Sequence, residues 1–273
     1  MSFESYTDPV AQLLLQGDIE ESRDPADWVD YVTTFGLTEE HVPELLQLAS
    51  DLEVYEVEED DPAGFANLHA VRALGQVGSE TAIAPMIELC EREDDFLREN
   101  LHAALAIFGA RAIAPLKAVV YTEEKSIWIK ISCIDVLETI AKKNPETLSE
   151  ISAILIDQLE KYETNEEALD SMLVDLLAEL QVTEAAPLIE TVFAHKELDE
   201  FITGSWAQVQ VRLGVRKESE FSKEELTPRI PEHVHRIREM IELLERQQPK
   251  SKGFGNVAQT QPAKKSKKKK KKR

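Results

Sequence analysis

Apolar residues recur through most of this chain at the three- and four-residue spacing of amphipathic helices, and the stripes come in pairs. Leu68, Val71, Leu74 and Val77 form one stripe, answered after a turn by Ile83, Met86, Ile87 and Cys90. Leu101, Ala104, Leu105 and Phe108 form the next, answered by Ile113, Leu116, Val119 and Val120. Such spacing gives each helix one apolar and one polar face. The first helix of each pair ends at a glycine, Gly78 or Gly109. The second opens with Ala-Ile-Ala-Pro, which sets Pro85 and Pro115 thirty positions apart. A proline near a helix start costs little, since its missing N–H would have no partner there. A third Ala-Pro, at Pro187, lies seventy-two positions further on. Periods of this size predict stacked helix pairs, each burying its apolar face against a neighbour.

The pattern extends on both sides. Val10 to Leu15 predicts a short helix of about two turns. Asp24-Pro25 opens an earlier pair, with Trp28, Val32 and Phe35 near helical spacing and Gly36 as its end. Thr38-Glu39-Glu40-His41 has the form of a capped start, and Val42, Leu45, Leu46 and Ala49 supply the second face. Glu53 to Asp61 reads as a solvated acidic linker, without the alternating oxygens around a glycine that a calcium loop needs. Beyond the central pairs, Ile127, Ile131, Ile134, Leu137 and Ile140 run to a break at Asn144-Pro145, and Leu148, Ile151, Leu155 and Leu159 follow. Leu169, Leu173, Leu176 and Leu180 then precede Leu188, Ile189, Val192 and Phe193. From Asp199 the period stops, and FITGSWAQVQVRLGV predicts a cap. Pro231 opens a further helix with Val234, Ile237, Ile241 and Leu244 on one face.

The predicted fold is therefore all-α: a right-handed α-solenoid of about five helix pairs, with an extra C-terminal helix. Predicted boundaries are 1–24 for an N-terminal segment, 25–215 for the solenoid and its cap, 216–248 for a charged linker and helix, and 249–273 for a disordered tail.

Charge divides this picture. The formal net charge is −21, yet the ten Lys and one Arg from Pro249 onward meet no acid, which leaves −32 for residues 1–248. An acidic body repels nucleic acid and anionic membrane, and a basic tail attracts both. The tail residues Lys264, Lys265, Lys267, Lys268, Lys269, Lys270, Lys271, Lys272 and Arg273 are candidates for polyanion contact, including RNA or the ribosome, through phosphates. Membrane contact and docking on the acidic body are the other readings of the tail. No apolar run approaches a membrane-spanning length, and the N-terminus lacks a secretory pattern, so stable membrane insertion is not expected and the cytoplasm is. Cys90 and Cys133 lie in apolar stripes and read as reduced core residues.

The stretch LHAVRALGQVGSETAIAPMIEL resembles HEAT-like repeats of the type named after phycobilisome lyases. The ordered suite from FGLTEEHVPELLQLASD to DEFITGSWAQVQVRLGV, roughly Trp28 to Val215, is similar to a group of uncharacterised bacterial HEAT-like repeat proteins. That resemblance implies an α-solenoid and a bacterial source. It implies no catalytic residues. Proteins of this kind can end in a short zinc tail with Cys and His, and after Pro249 this chain has neither.

The residues themselves predict no catalytic group, no bound cofactor and no metal site. His69 and His102 share a Leu-His-Ala context but not the same place in their units, and read as packed histidines. His233 and His235 stand two apart, where helical zinc ligands stand three or four apart. No nucleophile turn, phosphate loop or HExxH occurs. Trp28, Trp128 and Trp206 read first as packing anchors and otherwise as interface residues. As the resemblance implies, second helices line the concave face of such a stack. Their polar sides carry Glu88 and Glu91, then Glu150, Asp157 and Glu160, then Glu184 and Glu190, with Arg111 and Lys117 interrupting in the second hairpin. This predicts a groove for a protein partner, a basic one. The function read from the sequence is a non-enzymatic scaffold or adaptor. The alternatives are a bilin lyase or chaperone-like subunit, and an RNA- or ribosome-associated factor acting through the tail.

Overall fold

Turn chemistry sets where the helices begin and end. In the computed structural model, residues 5–19, 24–58 and 61–229 are described. Two units are distinguished, Met1–Arg229 and Ile230–Arg273. The predicted helix at Pro231 and the basic tail lie outside the described residues. The first unit is built of helical hairpins, α1 (Tyr31–Phe35) with α2 (Val42–Ser50), α3 (Ala66–Val77) with α4 (Ile83–Leu89), and α5 (Asp95–Ile107) with α6 (Ala110–Tyr121). They continue as α7 (Ile127–Lys143) with α8 (Leu148–Leu159) and α9 (Glu167–Glu179) with α10 (Ala186–His195). The short α11 (Glu200–Thr203) and α12 (Trp206–Arg212) close the series. Asp94 and Ser126 accept from the third amide of α5 and α7, which satisfies donors that a helix start leaves unpaired. Gly78 ends α3 in the left-handed region, φ 70°, where a Cβ would be strained.

The hairpins stack in two layers. First helices pack in sequence, α3 on α5, α5 on α7 and α7 on α9, with α11 and α12 against α9. Second helices follow suit, α2 on α4, α4 on α6 and α6 on α8. Between the layers runs one apolar core from Tyr6 to Leu213. Within the first-helix layer one approach is tight: a Cβ on Gly75 would stand 3.0 Å from Cβ of Ala104 and 3.1 Å from its backbone, so α3 and α5 meet with only the Ala104 methyl between them.

Several expectations change in detail. Val10–Leu15 is helical but as 3₁₀ turns, with Val10 and Leu13 buried against α3. Trp28 precedes α1 in extended backbone and is not on its face, because Asp30 caps the helix by accepting from Thr33 N at 2.8 Å. Tyr31, not Val32, is the core residue there. Thr38 N donates to His41 Nδ1 at 2.9 Å, so the start ahead of α2 is capped as expected. The connector is not merely solvated: Val54 is buried, and Tyr55 donates to Asp94 at the start of α5. Pro85 and Pro187 fall within the first turns of α4 and α10. Pro115, however, sits inside α6, because this helix starts directly at Gly109 where the other second helices follow a 3₁₀ turn. It deletes the bond an amide would make to the carbonyl four residues back.

Candidate functional site

The seven carboxylates named from the sequence are all exposed. Glu88 lies on α4 and holds Lys125 at 2.6 Å, and Glu91 follows that helix. Glu150 and Asp157 lie on α8, and Glu160 ends it. Glu184 stands in the 3₁₀ turn before α10, and Glu190 on α10 itself. Between the α4 and α8 groups stands α6 with its cations. Arg111 Nη1 turns back to donate to the Gly78 carbonyl at 2.9 Å. Lys117 and Lys161 lie over the Tyr121 ring, and the Tyr121 hydroxyl donates to Asp157 at 3.1 Å. The acidic residues thus fall in groups on α4, α8 and α10, with a cation-flanked tyrosine on α6 beside the α8 group.

A cleft of about 890 Å³ opens where the N-terminal segment, the connector, α3 and α5 meet. Trp28, Tyr55, Phe65 and Phe96 line it together with Arg72, Asn100 and several carboxylates. Arg72 is fixed: its Nε donates to Asn100 Oδ1 at 2.7 Å, and its guanidinium lies 4.8 Å over the Trp28 ring. Asn67 donates to the Tyr55 hydroxyl at 3.2 Å, and burial with the bond to Asp94 pushes that phenol up to about 12. Sequence periodicity missed this cleft. Its only trace was a pair of aromatics at polar positions, Tyr55 in the acidic connector and Phe96 on the polar side of α5.

The histidines are structural where they are described. The Gly17 carbonyl can only accept, so His69 Nε2 carries the proton given to it at 2.9 Å, and Nδ1 accepts from the Tyr31 hydroxyl at 2.7 Å. Burial holds His69 below its ordinary range. Burial likewise drives His102 down to about 4, and its Nε2 is buried without a hydrogen bond. Cys90 and Cys133 are free and buried, and burial raises both thiols, Cys90 to about 12, which keeps them protonated and poorly nucleophilic. Asp135 is pushed up to about 7 by burial and by Glu138 and Asp175. Among the described residues, no group of three or more His, Cys, Asp or Glu is arranged to hold a metal. His233 and His235 lie outside them, as do Lys264 to Arg273. The tryptophans divide. Trp28 is buried and Trp206 packs on Phe193 at 5.4 Å, but Trp128 is 66% exposed and anchors nothing in the core.

The family model of the PBS lyase HEAT-like repeat matches residues 68–92, the hairpin α3–α4. That hairpin is therefore similar to one such repeat, in agreement with the resemblance read from its residues. No curated protein and no solved structure matches the chain. No helix among the described residues is long and apolar enough to cross a membrane.

Proposed function

We propose that this chain is a non-enzymatic scaffold or adaptor whose helical stack holds a basic protein partner on its second-helix face. Stacked helix pairs expose long, regular surfaces that suit extended partners. The observation that supports a basic partner is the exposure of all seven carboxylates on or beside α4, α8 and α10. Exposed charges of one sign raise the encounter rate with the opposite sign, in a way that salt weakens.

The test is a titration of the full chain with labelled oligolysine at roughly 0.02 M and 0.3 M salt, where screening differs several-fold. Binding at low salt that weakens when Glu150, Asp157 and Glu160 are reversed to Lys is the expected result. Equal affinity before and after those reversals would refute the second-helix face as the docking surface.

A further inference from the structure

We propose a second, more specific docking surface on this molecule: the edge formed by the starts of the first helices, where exposed aromatic rings among carboxylates seat a basic amphipathic polypeptide segment. The inference rests on the scaffold reading and places the specificity of that scaffold on a different face.

Each hairpin returns the chain, so successive first helices run the same way and their starts share one edge. Phe96 is the second residue of α5, Trp128 of α7 and Phe201 of α11. Their side chains are 68%, 66% and 61% exposed, and none belongs to the core. Because α5 packs on α7, α7 on α9 and α9 on α11, these positions succeed one another across the stack. At usual interhelical distances the step is about 8–10 Å. The α9 step carries Ala168 there and leaves a gap in the row. The rings do no work at the helix starts, since Asp94, Ser126 and Asp199 already cap them through their own side chains. Large aromatics at one repeated position, unused by the fold, are the composition of a partner-binding anchor.

The charges beside them choose the partner. Glu93, Glu123, Glu124 and Glu197 are exposed in the turns that lead into these helices. Of the cations nearby, Lys125 pairs with Glu88 at 2.6 Å and Arg98 with Asp95, and Lys130 donates to the Glu123 carbonyl at 3.4 Å. A guest that pairs aliphatic side chains with Lys or Arg meets both requirements: apolar groups cover the rings, and cations reach the carboxylates or lie over a ring face. The cleft at the Phe96 end, closed on its other side by Tyr55, gives the row a recessed terminus.

The experiment compares three synthetic helical peptides on the full chain: lysine with a leucine face, lysine with serine at equal charge, and glutamate with a leucine face. The expected result is that the lysine–leucine peptide binds about tenfold or more tighter than lysine–serine, with a blue shift of tryptophan emission, and that glutamate–leucine does not bind. Phe96→Ser and Trp128→Ser, at exposed positions that leave the fold intact by circular dichroism, should each weaken the lysine–leucine peptide about tenfold. Equal binding of the two basic peptides, or affinity unmoved by both serine variants, overturns this inference and leaves the second-helix reading standing. Absence of binding by either basic peptide overturns both. A dimer of the full chain that Trp128→Ser dissolves would make a second copy the occupant and overturn the basic-segment proposal.

Discussion

Removing the Lys196 amine should cost more stability than any surface change of its size, because it leaves a carboxylate in the core. Asp170, near the start of α9, has a side chain with 0% exposure. Lys196, just past α10, reaches it at 2.5 Å and donates as well to the carbonyls of Tyr162 at 2.8 Å and Asn165 at 2.7 Å. One amine thus ties the α8–α9 turn to the next hairpin. Asn165 supplies the carboxylate's other partner at 2.7 Å. Lys196→Met keeps the aliphatic stem and deletes the charge. Breaking one side of a buried pair costs about 3–5 kcal/mol, and partial access of water to Lys196 puts the expected loss near the lower end. The sign of the pH dependence follows from burial, which holds the Asp170 pKa above its ordinary value against the lowering effect of Lys196 and Asn165. The folded state therefore binds a proton more readily than the unfolded chain, and stability falls as pH rises through that window, which begins at about 4. Without Lys196 the window extends upward, so the deficit of the variant is greatest at pH near 7 and shrinks on acidification. Urea denaturation followed by far-ultraviolet circular dichroism at roughly pH 7 and pH 5 reads both quantities. A loss below about 1 kcal/mol at the higher pH, or the same loss at both, would refute the argument.

Gly75→Ala should destabilise by about 1–3 kcal/mol despite the better helix propensity of alanine, since the new methyl meets Ala104 at 3.0 Å. Thermal melts should show Ala104→Gly restoring part of that loss, and an unchanged midpoint in the single variant would contradict the close approach. His102 is held neutral, with its pKa lowered to about 4, so it withdraws stability as pH falls from its unfolded value of about 6.5 toward 4. His102→Leu should flatten the stability–pH curve in that range, and a curve of unchanged slope would assign the acid sensitivity elsewhere. Tyr31→Phe should cost about 1 kcal/mol by removing the donor to His69 Nδ1, measured by the same denaturation.

The helix pairs were legible because apolar spacing and proline placement are local signals. The pair α7–α8, which lacks the Ala-Pro sign, was still read from its isoleucines and the Asn144-Pro145 break. The misreadings share a cause. Val10–Leu15, Trp28 and the connector around Val54 fold as 3₁₀ turns or extended backbone, and their burial comes from tertiary packing that has no sequence period. Pro115 looked like a second Pro85 because the motif repeats, while the turn before it does not. The acidic candidates were visible by composition. The exposed aromatic edge was harder, because Trp128 reads as a packing anchor until the face of its helix is known. Partners on different helices, such as Lys196 for Asp170, leave no local mark at all.

The N-terminal segment is bound by several independent contacts: Tyr6 to Asp51 at 2.6 Å, Thr7 to Glu44 at 2.6 Å, and Gly17 to His69. Its 3₁₀ turn Val10–Leu15 packs on α3, which α1 and α2 also contact. A row of like units with two bare ends is a growing polymer, and with one bare end it can only pair through that end. Residues 5–19 cover part of α3 at one end, as α11 and α12 cover α9 at the other. A chain begun at Asp24 bares one end only, and should sediment as monomer and dimer whose balance moves with concentration.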